Sequence, residues 1–477
     1  MKKAFIIIVV NCCFFFNAFG QNTTTFKSSD PAIELAFNCA KKMALSYKGN
    51  SNDPVGPWYE AALPSRSAFC MRDVSHQSIG AEILGLNKEN KNMLSLFAQN
   101  ISENKDWCSY WEINKYGKPA PEDYRNDKEF WYNLNSNFDV MFACWRLYLW
   151  TGDRTYIDNP EFENFFEKST TAYIERWVLD ADSLLTRPEF PNPSFPFNIK
   201  DDFHRCRGLA SYSEGINGLK MGVDLVAAIY RGLLTYSSIL RQKGDIQKAE
   251  IFEKKAAKYQ QQIEQIWWDD TTSTYNVIYT SDGKFSKDGG ELFLLWFDAL
   301  TNTERTQKTI EHLISEKTNI ESLSYLPFLL YKYGFEEKGY EYILHLTDPA
   351  TKRREYPEVS YGVIEGIVHG YMGIEPDATK NIVTTLYRGK SETISEVDHL
   401  PVLNTVLFIK HEKQNTTLQN KGNNPIQWRI MFTGNHDVIF INNKKITANH
   451  KKDDNGKSYT FIDVPVNPGQ KIKASFP

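Results

Sequence analysis

The chain has 477 residues, of which 41% are hydrophobic and 14% aromatic, and its formal net charge at pH 7 is -4. This length and apolar content allow a large buried core. The sequence carries no basic patch or arginine–glycine tract, so nucleic acid is not expected as a partner.

Residues 1–20 predict a targeting segment. Two lysines precede an apolar run at 4–16, and the small residues Ala18 and Gly20 fit a signal-peptidase site. The run is shorter than a membrane-spanning helix needs. No other long apolar stretch follows it. We therefore expect an exported protein, periplasmic or secreted, with no integral membrane segment after removal of the signal.

Residues 31–390 are predicted to be mainly helical, because apolar residues recur there at three- and four-residue spacing. The predicted helices lie at 36–45, 78–85, 91–101, 138–149, 162–178, 223–240, 246–267, 292–300, 306–314, 323–333, 339–346 and 363–372. Short polar breaks alternate with long polar and aromatic connections at 106–135, 180–220 and 268–290. This alternation predicts a closed ring of helical hairpins with its long loops on one face. An open superhelix of helical repeats is the alternative, but no fixed repeat period is visible.

The composition changes after Gly389. Strand-like runs occur at 405–411, 426–432 and 438–441, with turns rich in Gly and Asn between them. Residues 391–477 are therefore predicted to form a small antiparallel β domain.

The densest group of polar side chains lies at 65–80, at the start of a predicted helix. It holds Arg66, Arg72, Asp73 and His76. A guanidinium and a carboxylate together can bind the neighbouring hydroxyls of a sugar. The simpler interpretation is that Asp73 caps the helix and pairs with Arg72.

Aromatic residues are frequent in the predicted long loops. They include Trp58, Tyr59, Trp107, Tyr110, Trp111, Trp131 and Tyr132. Several stand beside Asn, Asp or Gly, which favours a binding rim where flat rings stack on sugar rings, with Trp58, Trp111 and Trp131 as the candidates. Core packing is the alternative for all of them.

Three acidic loop segments are candidates for an acid–base pair. Glu214 lies in Ser-Tyr-Ser-Glu-Gly-Ile-Asn, Glu358 lies in Tyr-Pro-Glu-Val-Ser, and Asp202 lies beside Asp201, His204 and Arg205. Each carboxyl could simply cap the helix that follows. Two of them on one face could cleave a glycosidic bond, one protonating the leaving oxygen and the other activating water.

The arrangement and several short segments resemble the six-hairpin glycosidases, the (α/α)6-barrel group that includes trehalases, processing-type α-glucosidases, glucoamylases and α-rhamnosidases. Arg72-Asp73 resembles the Arg-Asp pair that binds sugar hydroxyls in several members. Gly-Val-Asp-Leu at 222–225 resembles the helix start that follows the general-acid loop, and Glu-Tyr-Pro-Glu at 355–358 resembles the segment that supplies the general base.

With residues 1–20 assigned as a signal peptide, the resemblance implies an (α/α)6 barrel at 21–390, followed by a C-terminal antiparallel β-sandwich at 391–477. It also implies an inverting glycoside hydrolase whose base is Glu358. The family's acid aspartate would fall near Asn217, which cannot donate a proton, so Glu214 takes that role. Asp202 and Glu355 are the alternative catalytic carboxyls.

Two other function classes remain open from the sequence. A polysaccharide lyase acting on a uronate polymer would use a Tyr or His base and a cationic group, with Tyr212, His204, Arg205 and Arg207 as candidates. A non-catalytic glycan-binding protein would use the aromatic rim alone. No metal-binding or phosphate-binding motif is present, so no metal or other cofactor is expected.

Overall fold

Helices dominate the first three quarters of the chain. The computed structural model describes residues 23–61, 63–188, 207–213, 216, 218–287, 289–453 and 456–477, so the predicted targeting segment lies outside the described residues. The α-helices of the described part are α1 (Pro31–Ser46), α2 (Met71–Ile83), α3 (Asn87–Gln99), α4 (Ser136–Thr151), α5 (Thr155–Asp158), α6 (Pro160–Thr170), α7 (Ala172–Arg176), α8 (Val223–Gln242), α9 (Ile246–Gln262), α10 (Leu292–Trp296), α11 (Thr303–Ser315), α12 (Ile320–Leu323), α13 (Leu326–Lys332), α14 (Glu336–Thr347) and α15 (Pro357–Glu365).

The helices pack in two sets: a first set of six helices that contact one another, and a second set of four helices that pack on the first. Helix α2 packs against α4, α4 against α8, and α8 against α10, while α15 packs against both α13 and α2. Trp296 of α10 meets Phe328 of α13 edge to face. Helices α1, α3, α9 and α14 lie outside this set and pack on α15, α2, α8 and α13 respectively.

Local sequence explains where these helices begin. Asp30 caps α1 by accepting a hydrogen bond from the Ala32 amide, and Pro31 occupies the first turn. The buried face of α1 follows helical spacing, through Ile33, Ala36, Phe37, Ala40 and Ala44. Among the described residues, α8 alone is long and apolar enough to cross a membrane, but 78% of its most apolar window is buried inside the protein.

Several predicted helices differ from the observed ones at their ends. The helix predicted at 162–178 is divided at Thr171, whose backbone leaves the helical region. The one predicted at 323–333 corresponds to α13, and the short helix α12 ends at Leu323, where the predicted range begins. Helix α15 begins at Pro357, earlier than the predicted start at 363, because proline is favoured in a first helical turn. It continues as a π-helical segment at Gly366–Tyr371.

Strands fill the C-terminal part. The described strands are β1 (Thr25–Ser28), β2 (Ala68–Cys70), β3 (Glu112–Asn114), β4 (Tyr124–Asn126), β5 (Glu129–Phe130), β6 (Tyr132–Asn133), β7 (Arg207–Leu209), β8 (Leu219–Gly222), β9 (Trp268–Asp269), β10 (Thr274–Tyr275), β11 (Ile278–Thr280), β12 (Phe285–Ser286), β13 (Ile374–Asp377), β14 (Ile382–Thr385), β15 (Ile394–Val402), β16 (Thr405–Glu412), β17 (Asn415–Asn420), β18 (Ile426–Thr433), β19 (Val438–Ile441), β20 (Lys444–Thr447), β21 (Asn449–Lys452), β22 (Ser458–Val466) and β23 (Lys471–Ser475).

Two large sheets contain most of the C-terminal strands. One has the order β1-β15-β16-β17-β23-β19-β20, and the other has the order β13-β14-β18-β22-β21. Burial alternates along β16, as expected for a strand with one face covered. The β-rich region extends beyond the predicted 391–477, because β14 pairs with β18 and the N-terminal β1 pairs with β15.

Candidate active site

A pocket of about 470 Å³ opens where the N-terminal ends of α2 and α15 meet the loops before α8, α10 and α13. Charged, aromatic and glycine residues line it together. They are Arg72, Asp73, His76, Tyr212, Ser213, Ile216, Gly289, Gly290, Phe293, Asn319, Glu321, Ser322, Tyr325 and Glu358. The pocket therefore collects five of the residues proposed from sequence: Arg72, Asp73, His76 and Glu358, and Tyr212 from the lyase alternative.

Arg72 and Asp73 belong to the first turn of α2. The helix starts directly after β2, where the Met71 amide donates to the Trp111 carbonyl at 3.0 Å, beside the antiparallel pairing of β2 with β3. Arg72 Nε lies 3.6 Å from Asp73 Oδ1. Cys70, and not Asp73, occupies the N-cap position of α2. Asp73 thus stands within the helix, facing the pocket.

The Arg72 guanidinium is held between aromatic rings. It lies 6.0 Å from the ring centre of Trp111 and 5.2 Å from that of Tyr212. Cations over aromatic faces are stabilised by the ring quadrupole. These contacts orient Arg72 toward the pocket. Trp111 supports the Arg72 guanidinium and does not line the pocket itself.

Glu358 occupies the first turn of α15, directly after Pro357, and is 5% exposed. Burial, and after it the neighbouring Asp73 carboxylate, raise the pKa of Glu358 from 4.5 to about 8. Burial also raises the pKa of Asp73, against the opposing effect of Arg72. Glu358 is therefore disposed to hold a proton at neutral pH.

A third carboxyl, Glu321, lines the same pocket and was missed by the sequence analysis. It lies on α12, whose start is capped by Asn319 accepting from the Ser322 amide. Glu321 Oε1 pairs with Arg353 Nη2 at 3.1 Å, while Glu321 Oε2 is buried and has no hydrogen-bond partner. The available signal was a carboxyl just before an apolar helix, as at Glu358.

His76 lies one helical turn beyond Arg72. Its ring stacks on Tyr325 with centres 3.5 Å apart. Ser324 Oγ donates to the Glu321 carbonyl at 2.5 Å, so it accepts from His76 Nε2 at 2.9 Å. Burial lowers the pKa of His76 to about 3. The histidine is thus neutral, with its proton on Nε2 and its Nδ1 atom buried and unpartnered.

The loop before α8 is fixed by Asp224, the acidic residue of the Gly-Val-Asp-Leu segment. The buried Asp224 carboxylate accepts from Ser211 Oγ at 2.9 Å, from the Tyr212 amide at 2.5 Å and from Asn135 Nδ2 at 3.3 Å. Burial raises the pKa of Asp224 to about 7, against these hydrogen bonds. Tyr212 in turn donates its hydroxyl to Asp139. This network places Tyr212 and Ser213 on the pocket wall.

Other candidates from sequence lie elsewhere. Arg66 pairs with Glu112 at 3.2 Å and with Asp123 at 3.4 Å, which holds it away from the pocket. Trp58 is buried and donates its indole N–H to Asp53 at 2.7 Å.

Trp131 is also buried, and its ring meets that of Trp111 edge to face. These tryptophans pack in the interior because their large apolar rings gain more from burial than from a wet rim. Glu355 lies on the segment before α15 but does not line the pocket. Glu214, Asp202, His204 and Arg205 lie outside the described residues.

No group of three or more His, Cys, Asp or Glu side chains suited to a metal ion occurs within the described ranges. The pocket lining itself offers carboxyl groups, the Arg72 guanidinium and a neutral imidazole.

The fold is similar to that of solved glycosidases, as the resemblance to the six-hairpin glycosidases implied. An α-L-rhamnosidase from Dictyoglumus thermophilum superimposes with a TM-score of 0.60 at 13% identity, over 96% of this chain and 51% of that one. A GH78 family rhamnosidase from Bacillus sp. GL1 gives 0.57 at 11% identity, over 84% and 42%. A human-microbiome protein assigned as a kojibiose phosphorylase gives 0.55 at 11% identity, over 94% and 68%.

At these identities the likeness concerns the fold, and the chain spans about half the length of the two rhamnosidases. No protein-family model matches the chain, and no curated protein matches it significantly.

Proposed function

We propose that the chain is an exported glycoside hydrolase that cleaves a glycosidic bond in an oligo- or polysaccharide. One observation carries this proposal: Arg72 and Asp73 from α2 meet Glu358 from α15 in a single pocket. The arginine–carboxylate pair suits sugar hydroxyls, and the protonated carboxyl suits acid–base chemistry at a glycosidic oxygen.

The proposal includes the architecture that the sequence predicts. The contacts of α2 with α4 and of α15 with both α13 and α2 support a closed (α/α)6 barrel. The two large sheets support a β-sandwich that follows it. The barrel presents the pocket, and the sandwich packs beside it without contributing described residues to the pocket lining.

The reaction needs two carboxyls. Glu358 supplies one of them. Glu214 was the acid expected from sequence; its described neighbours Ser213 and Ile216 line the pocket, which keeps that loop in the proposal. An inverting mechanism places a water between the two groups, with the carboxyls about 6.5 to 9.5 Å apart.

A phosphorylase is the second candidate, supported by the similarity over 94% of this chain to the protein assigned as a kojibiose phosphorylase. Phosphate would then replace water as the attacking group. Arg72 is the described cation that lines the pocket.

The lyase alternative is not favoured. Its candidate base Tyr212 donates its hydroxyl to Asp139, whose pKa burial raises well above its usual range. That hydrogen bond engages the Tyr212 hydroxyl, so the hydroxyl is not free to take a proton from a substrate. A non-catalytic role is not favoured either, because Trp58 and Trp131 are buried and do not form a binding rim.

The test uses the purified chain with a panel of aryl glycosides and oligosaccharides, with and without inorganic phosphate. A hydrolase releases free sugar at the same rate in both conditions, while a phosphorylase requires phosphate and yields a sugar 1-phosphate. Proton NMR of the first product gives its anomeric configuration. Absence of turnover on the whole panel, with intact glycan binding, would reject the proposed activity.

A further inference from the structure

We propose that Glu358 donates the proton to the leaving oxygen, and that Glu321 is the carboxylate that accepts the proton of the attacking water. This assignment rests on the proposed hydrolase function. It reverses the role that the family resemblance implies for Glu358, and it assigns a role to Glu321, which sequence reasoning did not select.

The three carboxyls of the pocket differ in whether an arginine pairs with them. Asp73 has Arg72 beside it at 3.6 Å, and Glu321 has Arg353 at 3.1 Å. Glu358 forms no ion pair within the described part of the chain. An arginine beside a carboxylate stabilises its charge, whereas a buried carboxyl without such a partner is more stable when neutral. Of the three, Glu358 is the one without an arginine partner among the described residues, which makes it the best placed to hold the proton.

The surroundings of Glu358 also favour its protonated form. It is almost completely buried at the start of α15, and the negative charges of Asp73 and Glu321 both oppose its ionisation. Its raised pKa, about 8, leaves it mostly protonated at neutral pH. A protonated carboxyl in a pocket is suited to give a proton rather than to take one.

Glu321 has the complementary arrangement. Arg353 binds only Oε1, and the Arg353 guanidinium is itself held over the ring of Tyr356 at 4.4 Å. The second oxygen, Oε2, is buried without a partner in a residue that lines the pocket. A buried carboxylate oxygen without a donor is costly, and a water or sugar hydroxyl would satisfy it.

The proposed step balances as follows. The carboxyl proton of Glu358 moves to the glycosidic oxygen as the bond from that oxygen to the anomeric carbon breaks, and the aglycone leaves as an alcohol. Water adds to the anomeric carbon, and its proton moves to Glu321. The proton returns from Glu321 to Glu358 through solvent, which restores both groups.

Leaving-group dependence tests the assignment of Glu358. The dinitrophenolate of a dinitrophenyl glycoside leaves without protonation. The alkoxy group of an alkyl glycoside of the same sugar must be protonated in order to leave. We expect Glu358→Gln to lower kcat/KM on the alkyl glycoside by about 10²- to 10⁴-fold, the usual contribution of acid catalysis. On the dinitrophenyl glycoside the loss should be less than about tenfold, because little of that contribution remains to be lost. Equal losses on both substrates would overturn the assignment.

Azide rescue tests Glu321. Glu321→Gln should lose activity on both substrates alike, and sodium azide should restore turnover by forming a glycosyl azide of inverted configuration. Rescue of Glu358→Gln instead, or wild-type rates in Glu321→Gln, would overturn the assignment. Glu341→Gln, which changes an exposed glutamate of α14 paired with Lys338 at 2.6 Å, is the matched control.

One measurement is independent of substrate. At pH 7 the infrared difference spectrum between the wild-type protein and Glu358→Gln should contain a protonated-carboxyl band, which the difference between wild type and Glu341→Gln should lack. Other buried carboxyls whose pKa is raised, such as Asp139, cancel in both differences. Absence of the band from the Glu358→Gln difference would overturn the assignment even if the chain hydrolyses glycosides. If the wild-type protein turns over neither glycoside, the proposed hydrolase function fails first and the roles fail with it.

Discussion

The carbonyl oxygen of Tyr361 lies so close to Gly80 that a Cβ at Gly80 would stand 2.3 Å from it. Gly362 makes a similar approach, with its would-be Cβ 2.4 Å from the Ser324 carbonyl. Helix α15 therefore packs backbone to backbone against α2 on one side and against the segment before α13 on the other. These two contacts fix how close α15, which carries Glu358, lies to α2, which carries Asp73, and to the segment that follows Glu321.

Gly80→Ala should destabilise the protein and disturb the pocket. The new methyl group meets backbone atoms, which cannot rotate away, so α2 and α15 must separate. We expect a loss of about 1–3 kcal/mol in the free energy of unfolding, measured with urea. Gly339→Ala is the comparison, because its Cβ would meet the Tyr331 ring at 2.9 Å, a side chain that must shift, and would leave the contact between α2 and α15 intact. An unchanged midpoint for Gly80→Ala would mean that the helices are not held at this distance.

Glu358→Gln should stabilise the protein at alkaline pH. In the unfolded chain Glu358 loses its proton near pH 4.5, whereas the folded protein retains it to about pH 8. Between these values the folded state binds more protons, so the free energy of unfolding falls as pH rises. Glutamine removes this loss, giving a gain on the order of 1–4 kcal/mol at pH 8–9.

The measurement is thermal unfolding of both proteins between pH 4 and pH 9. The two should have nearly equal stability near pH 4, where Glu358 is protonated in both states. A difference that stays constant across this range would contradict a raised pKa for Glu358.

Much of the fold follows from sequence because it depends on local pattern. The helix at 223–240 was predicted from its apolar spacing, and α8 spans Val223–Gln242. The β-rich end was predicted from strand-like runs and the turns between them, but its extent was not. The pairing of β1 with β15 joins residues 25–28 to residues 395–398, and no local sequence pattern predicts such a contact.

Part of the pocket could be predicted from the sequence. Arg72 and Asp73 are neighbours in the chain, so their joint placement needs no tertiary information. Glu321 was not found, because its importance arises from Arg353 and from the proximity of α15 to α12, which only the folded chain creates. Trp58 was selected as a sugar-binding candidate although it is buried. In sequence, an aromatic residue in a polar segment looks the same whether it lines a binding rim or fills a core.

Asp224→Asn should lower activity more than stability. The carboxylate accepts three hydrogen bonds, and an amide would turn an N–H group toward one of these donors. The loop that carries Tyr212 should shift, with a loss of about 1–3 kcal/mol in unfolding free energy and a larger fall in kcat/KM. Ser211→Ala, which removes only one of the three donors, should give a smaller effect. If Asp224→Asn left kcat/KM unchanged, the loop would not be part of the site.

Asp73→Asn should change both sugar binding and the pH dependence of activity. The amide keeps the size of the side chain, so folding should persist, but the charged partner of Arg72 is lost and a substrate hydroxyl loses a strong acceptor. We expect the dissociation constant for a non-hydrolysed product sugar, measured by calorimetry, to rise by about tenfold or more, as expected when a charged hydrogen bond is lost.

The pH profile of Asp73→Asn provides the sharper test, because Asp73 and Glu358 interact. If Glu358 must be protonated to act, wild-type kcat/KM falls as pH rises through about 8. The negative charge of Asp73 helps to hold the Glu358 proton, so its removal lowers the pKa of Glu358 and moves this alkaline limb to lower pH. Glu341→Gln should leave the limb in place. A limb that moves to higher pH, or activity that rises with pH through 8, would show that Glu358 works in its ionised form.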